Sequence, residues 1–255
     1  MIDTTTPTTA TTTPPTTTTT TSPLQQQLQQ QQQQKLELME ASILEMSPPQ
    51  LQQMVSKCDA IVSCLGHNGS FSGVWGKPYK LVTDAIQRVC EATIANQKLE
   101  TATTTKRTTT TTTTPTKVVL LGTVLVPNPN GQEPKRSFFD RCVLTALSYL
   151  IPPHVDNEAA AQYLFQHHYP PPLTAKPATP SPALEWCVVR PNLLIDQDTV
   201  TDYQLKAQPT GGLFQGNVTS ARINVAHSMV QLVTNHQQQW DTWKYQMPVL
   251  FDQNN

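Results

Sequence analysis

The sequence predicts an α/β protein built on a doubly wound, parallel sheet. The apolar runs Ala60–Leu65, Val118–Leu121 and Trp186–Pro191 are nearly continuous, which is typical of strands buried on both faces of a parallel sheet. Segments with helical spacing lie between and after these runs. Strands that alternate with helices at this spacing indicate parallel crossover units rather than an antiparallel fold.

The first half of the predicted domain contains two strands and two helices. Leu36–Ile43 alternates loosely and is interpreted as a strand, and Pro48–Val55 is predicted to be a helix with Ser47 as its cap. A buried strand over residues 58–65 follows, and it ends in a tight turn. Pro78 then opens a helix with one apolar stripe, formed by Leu81, Val82, Ala85, Ile86, Val89 and Cys90.

The second half continues the same alternation after the strand at Val118–Leu121. Two helices are predicted, one marked by Phe138 to Leu150 and stopped by Pro152, the other capped by Asp156. A strand at residues 186–190 and a helix at Ile223–Val233 come next, and Met247–Phe251 is predicted as a closing edge strand. The last helix is expected to turn five side chains inward, namely Val225, Ala226, Met229, Val230 and Val233.

Low-complexity tracts divide the chain. Residues 1–34 consist of a Thr/Pro tract and a Gln tract with too few apolar residues to offset the entropy of ordering, so a disordered tail is expected there. The folded domain is then residues 35–255. Thr101–Thr116 is predicted to be a surface loop insertion within it, and Pro170–Pro182 a proline-rich linker.

Composition narrows the classes of function. The net charge of -1 gives no basic footprint for nucleic acid or an acidic membrane surface. No segment is apolar enough to span a bilayer and no signal peptide is evident, so we expect a cytoplasmic protein. The five cysteines show no metal spacing and are expected to be reduced and buried, Cys64 included.

Four segments carry a resemblance to a known family. They are Cys58–Gly66, Trp186–Pro191, Ser220–His227 and Trp243–Val249, in this order and at this spacing. Together they resemble the atypical short-chain dehydrogenase/reductase family, in its NAD(P)H-binding, flavin-reductase-like branch. The resemblance spans about Leu36 to Phe251, and it implies a Rossmann sheet that holds NAD or NADP across the carboxyl ends of its strands.

The resemblance also implies site residues. The segment Ser63, Leu65, Gly66 and His67 would border the adenine and ribose of the coenzyme, and Gly122 and Thr123 would border the nicotinamide. Pro191 and Asn192 would lie near the same ring. Such a protein would transfer a hydride between nicotinamide and a small substrate, which the sequence does not identify.

The chain departs from the family pattern in two respects. No Gly-x-Gly-x-x-Gly turn is present, so the first βαβ unit is expected to be missing and the chain to be incomplete at its N-terminus. The positions of the catalytic Tyr and Lys are occupied by Pro153 and Asn157, which leaves His154 as a weak candidate proton donor. Without the first unit, the edge of the Ala60–Leu65 strand would be exposed, and self-association and poor solubility are expected.

Several interpretations stay open at this level. The glycines of the segment 66–76 could form a phosphate cradle, a flexible loop beside the coenzyme, or an ordinary loop. Arg190 could contact a phosphate or form a structural ion pair. The whole chain is either an oxidoreductase, impaired because its pyrophosphate turn is missing, or a non-catalytic Rossmann remnant that acts as a binding module.

Overall fold

The computed structural model describes residues 37–104, 114–168, 183–210, 219–234 and 237–253. The folded unit begins at Ala41, and residues 37–40 before it have no regular secondary structure. The predicted tail at residues 1–34 and the linker at 170–182 lie outside the described residues. The Thr-rich insertion is described only at its two ends.

Seven strands occur in the described part of the chain. They are β1 (Ala60–Ser63), β2 (Thr116–Leu121), β3 (Leu184–Pro191), β4 (Leu193–Ile195), β5 (Tyr203–Lys206), β6 (Thr219–Ala221) and β7 (Val249–Asp252). Five of them form one sheet in the order β1-β2-β3-β7-β5, in which β5 alone runs antiparallel to its neighbour. The strands β4 and β6 pair in parallel as a separate small sheet.

Seven helices accompany these strands within the described residues. They are α1 (Pro48–Val55), α2 (Phe71–Trp75), α3 (Leu81–Thr104), α4 (Phe138–Leu150), α5 (Pro152–His168), α6 (Arg222–Thr234) and α7 (Gln237–Trp243). Ser47 is the N-cap of α1, as predicted, and its backbone N–H donates to Oε1 of Gln50 at 2.9 Å. None of these helices is long and apolar enough to cross a bilayer.

Alternation along the central strands explains why the sheet is covered on both faces. Val118 and Leu120 of β2 belong to one apolar cluster with α3 and α5, whereas Val119 belongs to a second cluster with α6 and α7. Because successive side chains of a strand point to opposite faces, a continuous apolar run supplies both cores. The doubly wound, mostly parallel α/β fold is confirmed.

Three predictions about individual elements are wrong. Residues 37–43 form no strand, and the chain turns at Ser42, whose carbonyl accepts from the N–H of Glu45 at 3.0 Å. The helix α3 runs through Thr104, so the Thr-rich tract begins inside a helix. The strand β7 is not an edge strand, since it lies between β3 and β5, and Pro248 precedes it.

The orientation of two groups of side chains also differs from expectation. Of the five side chains of α6 predicted to point inward, Val225, Met229 and Val233 pack on the core. Ala226 and Val230 are exposed, and Leu232 is buried in addition. Cys90 and Cys187 are buried thiols, but the other three cysteines, Cys58, Cys64 and Cys142, are exposed. All five are free thiols, as predicted.

Candidate functional site

The carboxyl ends of β1, β2 and β3 lie side by side. Ser63 at the end of β1 is paired in register with Leu120, and Leu121 at the end of β2 is paired with Val189. The segments that leave these three strands therefore emerge at one edge of the sheet, which we call the carboxyl edge. In open α/β sheets this edge is where ligands bind, and it brings together the three groups of predicted site residues.

The segment after β1 folds back on itself. The Ser70 side chain caps α2 by accepting from the N–H of Gly73 at 3.0 Å, and Asn68 Oδ1 accepts from the N–H of Ser70 at 3.2 Å. A Cβ atom at Gly73 would overlap the Asn68 side chain, so this position requires glycine. Two amides that a phosphate cradle would use are therefore engaged within the loop. Gly66 and Gly69 have open space where a side chain would lie.

His67 lies in a buried network rather than at an open cleft. Its Nε2 atom is 2.9 Å from Oδ2 of Asp156, and its Nδ1 atom is 3.2 Å from the carbonyl oxygen of Gly73. The side chains of His67 and Asp156 are 4% and 0% exposed. Both ring nitrogens face acceptors, so the imidazole joins the segment after β1 to helix α5.

Asp156 caps a helix other than its own. The sequence predicted that it would begin a helix, but α5 already begins at Pro152, a position where proline is favoured. The carboxylate instead accepts from the backbone N–H of Val82 at 2.7 Å and of Thr83 at 3.0 Å, at the N-terminus of α3. The hydroxyl of Thr83 donates to the Asp156 carbonyl at 2.9 Å. A negative charge is stabilised there by the unpaired amides and the helix dipole.

The segment after β2 is held close to the end of β3. The N–H of Gly122 donates to the carbonyl of Val189 at 2.8 Å, and the N–H of Val124 donates to that of Pro191 at 3.0 Å. A Cβ atom at Gly122 would lie 2.8 Å from a methyl carbon of Val188, so only glycine fits without movement. Thr123 closes the following turn, because its carbonyl accepts from the N–H of Val126 at 3.1 Å.

Pro191 and Asn192 are anchored to the small sheet and to β7. Pro191 is buried at the end of β3, and the N–H of Asn192 donates to the Ser220 hydroxyl at 3.0 Å. The Ser220 hydroxyl in turn donates to the carbonyl of Leu250 at 3.1 Å. The third group of predicted residues is thus rigidly positioned at the carboxyl edge.

The weak catalytic candidate His154 is buried in the first turn of α5. Desolvation lowers its pKa below the ordinary value, and the nearby charge of Glu158 only partly opposes this. No described residue bonds to its Nδ1 atom. Asn157, at the position where the family has its lysine, donates to the carbonyl of Pro153 at 2.8 Å. The structure therefore offers no Tyr–Lys pair here.

An apolar cavity of about 460 Å³ borders the end of β1. Ile61, Val62, Ser63 and Leu65 line it on one side, and residues 41–44 and helix α3 line it on the other. Cys64 also lines it; this thiol is exposed rather than buried as expected, and neighbouring apolar atoms raise its pKa. The described lining carries no charged side chain, so it offers a diphosphate no cation.

Arg190 forms the structural ion pair that was one of its two predicted roles. Its side chain is fully buried and lies 2.6 Å from Glu133. Its Nε and Nη1 atoms donate to the carbonyls of Met247 and Val126, each at 2.8 Å. The guanidinium therefore joins the segment after β2 to the chain entering β7.

No family model matches the sequence, and no curated protein matches it. Among solved structures, the oxidoreductase ylbE from Lactococcus lactis is similar at 12% identity, with a TM-score of 0.51, over 87% of this chain and 73% of that one. A protein from Lactobacillus casei is 13% identical, with a TM-score of 0.50, over 87% and 81%. A short-chain dehydrogenase/reductase from Veillonella parvula in complex with NADP is 13% identical, with a TM-score of 0.49, over 84% and 71%.

These likenesses concern the fold. The chain has a Rossmann-like α/β fold, of the kind that the resemblance to atypical short-chain dehydrogenases/reductases implied. One feature was missed by sequence reasoning, namely the contact between His67 and Asp156. These residues are 89 positions apart, and nothing in the local pattern of either one indicates the other.

Proposed function

We propose that this chain is an NAD(P)-binding, oxidoreductase-like protein whose coenzyme lies across the carboxyl edge. The observation that carries the proposal is the alignment of β1, β2 and β3, which brings Ser63–His67, Gly122–Thr123 and Pro191–Asn192 to one edge of the sheet. A Rossmann-like fold places a nicotinamide coenzyme at such an edge. The likeness to an oxidoreductase from Lactococcus lactis supports the same general kind of protein.

The described residues fit the ring systems of the coenzyme better than its diphosphate. The apolar cavity beside Ser63 and Leu65 would take the adenine end. Gly122 packs on Val188 and so fixes the segment after β2 at the other end, where the nicotinamide would lie. When bound, the coenzyme would supply the hydride. The substrate is a small molecule of unassigned structure.

The chain's own polar groups mainly position the edge. His67 and Asp156 hold the segment after β1 against the start of α3. His67 would therefore stabilise the fold of this segment rather than contact the coenzyme. The Ser63 hydroxyl lies in the lining of the apolar cavity, together with that of Ser42. His154 stays the weak candidate for proton transfer, and burial lowers the pKa of its imidazole.

We expect coenzyme binding and turnover to be impaired. The 255 residues contain no Gly-x-Gly-x-x-Gly turn, which in such folds places helix N-terminal amides on the pyrophosphate. They also present no Tyr–Lys pair, because Pro153 and Asn157 occupy those positions. The affinity for the coenzyme would then come from burial of its ring systems alone.

The test is a titration of the full chain with NADH and with NADPH, followed by coenzyme fluorescence. Saturable binding with a dissociation constant below about 1 mM, equivalent to about -4 kcal/mol, supports the proposal. The coenzyme that binds more tightly identifies the preferred one. If neither coenzyme saturates the protein in this range, the proposal is wrong.

One observation favours the alternative, a non-catalytic binding module. Strand β1 ends the five-stranded sheet, so one of its edges is unpaired among the described strands. Val62 and Leu65 at this edge are 41% and 37% exposed. An open apolar edge invites pairing with another chain, and the occupant favoured here is a second copy of this protein.

A charge at this edge tests self-association, and coenzyme binding by the unmodified chain separates the two functions. Val62→Lys should reduce self-association in analytical ultracentrifugation, because lysine on an edge strand opposes pairing. Val200→Lys is the matched control, since Val200 is 44% exposed and lies in the segment before β5. Self-association without coenzyme binding supports the binding module, and a monomer at all concentrations contradicts it.

A further inference from the structure

A second cavity, of about 480 Å³, lies beside the start of α4. Its wall is formed by Pro127, Asn128, Gly131 and residues 133–136 on one side, and by Arg141, Leu144 and Thr145 of α4 on the other. The volume is within the range of small-molecule sites. None of the residues predicted to border the coenzyme lines it.

The charge of the cavity is strongly positive. Lys135, Arg136 and Arg141 line it, and Glu133 is the acid among its described lining residues. Glu133 is paired at 2.6 Å with Arg190, whose side chain is fully buried. The buried Arg190 thus neutralises the negative charge of Glu133, so the positive charges of Lys135, Arg136 and Arg141 are in excess in the lining.

The cations differ in how firmly they are held. Arg136 is anchored, because its Nη2 atom donates to the carbonyl of Val124 at 2.7 Å, which leaves its other N–H groups for a ligand. The side chain of Arg141 is exposed and forms no hydrogen bond or ion pair with another described residue. Both flank the N-terminus of α4, where Ser137 is the cap and the carboxylate of Asp140 offsets the helix dipole. The buried Asp140 in the same turn is not part of the lining.

We propose that this cavity binds a small organic anion through its carboxylate or phosphate groups. Guanidinium groups bind both kinds of anion with paired, charge-assisted hydrogen bonds. One anchored and one unpartnered arginine in the same lining, together with a lysine, suit a ligand that carries two or more negative charges. Leu144 and Pro127 offer apolar contact to its carbon skeleton.

The test uses the full chain without coenzyme, so its result is independent of the proposed function. Inorganic phosphate and citrate are the probes, and the arginine Nε–Hε signals in NMR spectra report binding at individual side chains. The variant Lys135→Gln/Arg141→Gln removes two cations from the cavity. The matched control, Lys57→Gln/Lys98→Gln, makes the same change of net charge at exposed positions outside it.

We expect saturable binding of at least one probe and at least a tenfold weaker affinity in the cavity variant. The control should bind like the wild type. Thr145→Glu, which adds a carboxylate at an exposed lining position, should weaken binding to a similar extent and keeps the test valid if the double variant folds poorly. Tighter binding of phosphate or of citrate identifies the preferred group. The proposal is overturned if neither probe saturates by about 10 mM, or if the cavity and control variants lose affinity equally.

Discussion

Replacing Asp156 by asparagine tests whether one carboxylate holds together the helices beneath the carboxyl edge. In the wild type it accepts hydrogen bonds from two backbone amides of α3, at 2.7 and 3.0 Å, and from His67 at 2.9 Å. Asparagine has nearly the same shape but a single acceptor oxygen. It can accept from one or two of these donors, and its amide nitrogen must then face another donor.

The expected cost follows from these contacts. Hydrogen bonds to charged groups contribute about 1.5–3 kcal/mol each. Since asparagine loses the carboxylate charge and keeps one or two of the three hydrogen bonds, we expect Asp156→Asn to lower the free energy of unfolding by about 2–4 kcal/mol. A loss of this size is a large part of the stability of an ordinary domain.

The assay is urea denaturation followed by tryptophan fluorescence. Asp198→Asn is the matched control, because Asp198 is exposed, and its effect should stay within about 0.5 kcal/mol. A double-mutant cycle with His67→Gln should give a coupling energy of about 1–3 kcal/mol between the two residues. If Asp156→Asn stays within about 1 kcal/mol of the wild type, the network does not have the structural role assigned to it.

Three further predictions concern single positions. Gly122→Ala should lower the melting temperature, at a cost of about 1–3 kcal/mol, because its Cβ would lie 2.8 Å from Val188, whereas Gly69→Ala meets no atom within 4 Å and should not be destabilising. Burial lowers the pKa of His154 from 6.5, so the unfolded chain binds this proton at a higher pH than the folded chain. Stability should therefore fall as the pH drops below about 6.5, and His154→Leu should flatten this part of a series of urea midpoints. Arg190→Lys should cost about 2–4 kcal/mol in the same denaturation assay, since lysine lacks the planar fork that serves three acceptors; an unchanged midpoint would contradict the account of this ion pair.

The central strands could be predicted from the sequence because their apolar runs have only one favourable environment. Residues of β2 and β3 are buried on both faces, so Val118–Leu121 and Trp186–Pro191 indicate strands without knowledge of their neighbours. The segment 36–43 illustrates the opposite case. Its loose alternation fits a strand only if another strand lies beside it. In the structure the chain turns at Ser42 instead.

The candidate site was predictable in position but not in its internal contacts. Residues that end three parallel strands must meet at one edge, and this rule places Gly122 and Pro191 correctly. The partner of His67 could not be derived from the sequence, because the contact with Asp156 depends on how α3 and α5 pack together. The sequence predicted a helix start at Asp156, whereas α5 begins at Pro152. Because α5 packs on α3, the Asp156 carboxylate caps α3 instead.

The most direct test of the central claim compares NADPH binding by two glycine variants. Gly66 and Gly69 both have open space where a side chain would lie, but only Gly66 belongs to the proposed coenzyme site. Gly66→Leu should therefore weaken NADPH binding at least tenfold, about 1.4 kcal/mol, while Gly69→Leu binds like the wild type. Equal affinity in both variants, or no NADPH binding by the unmodified chain, would contradict a coenzyme at the carboxyl edge.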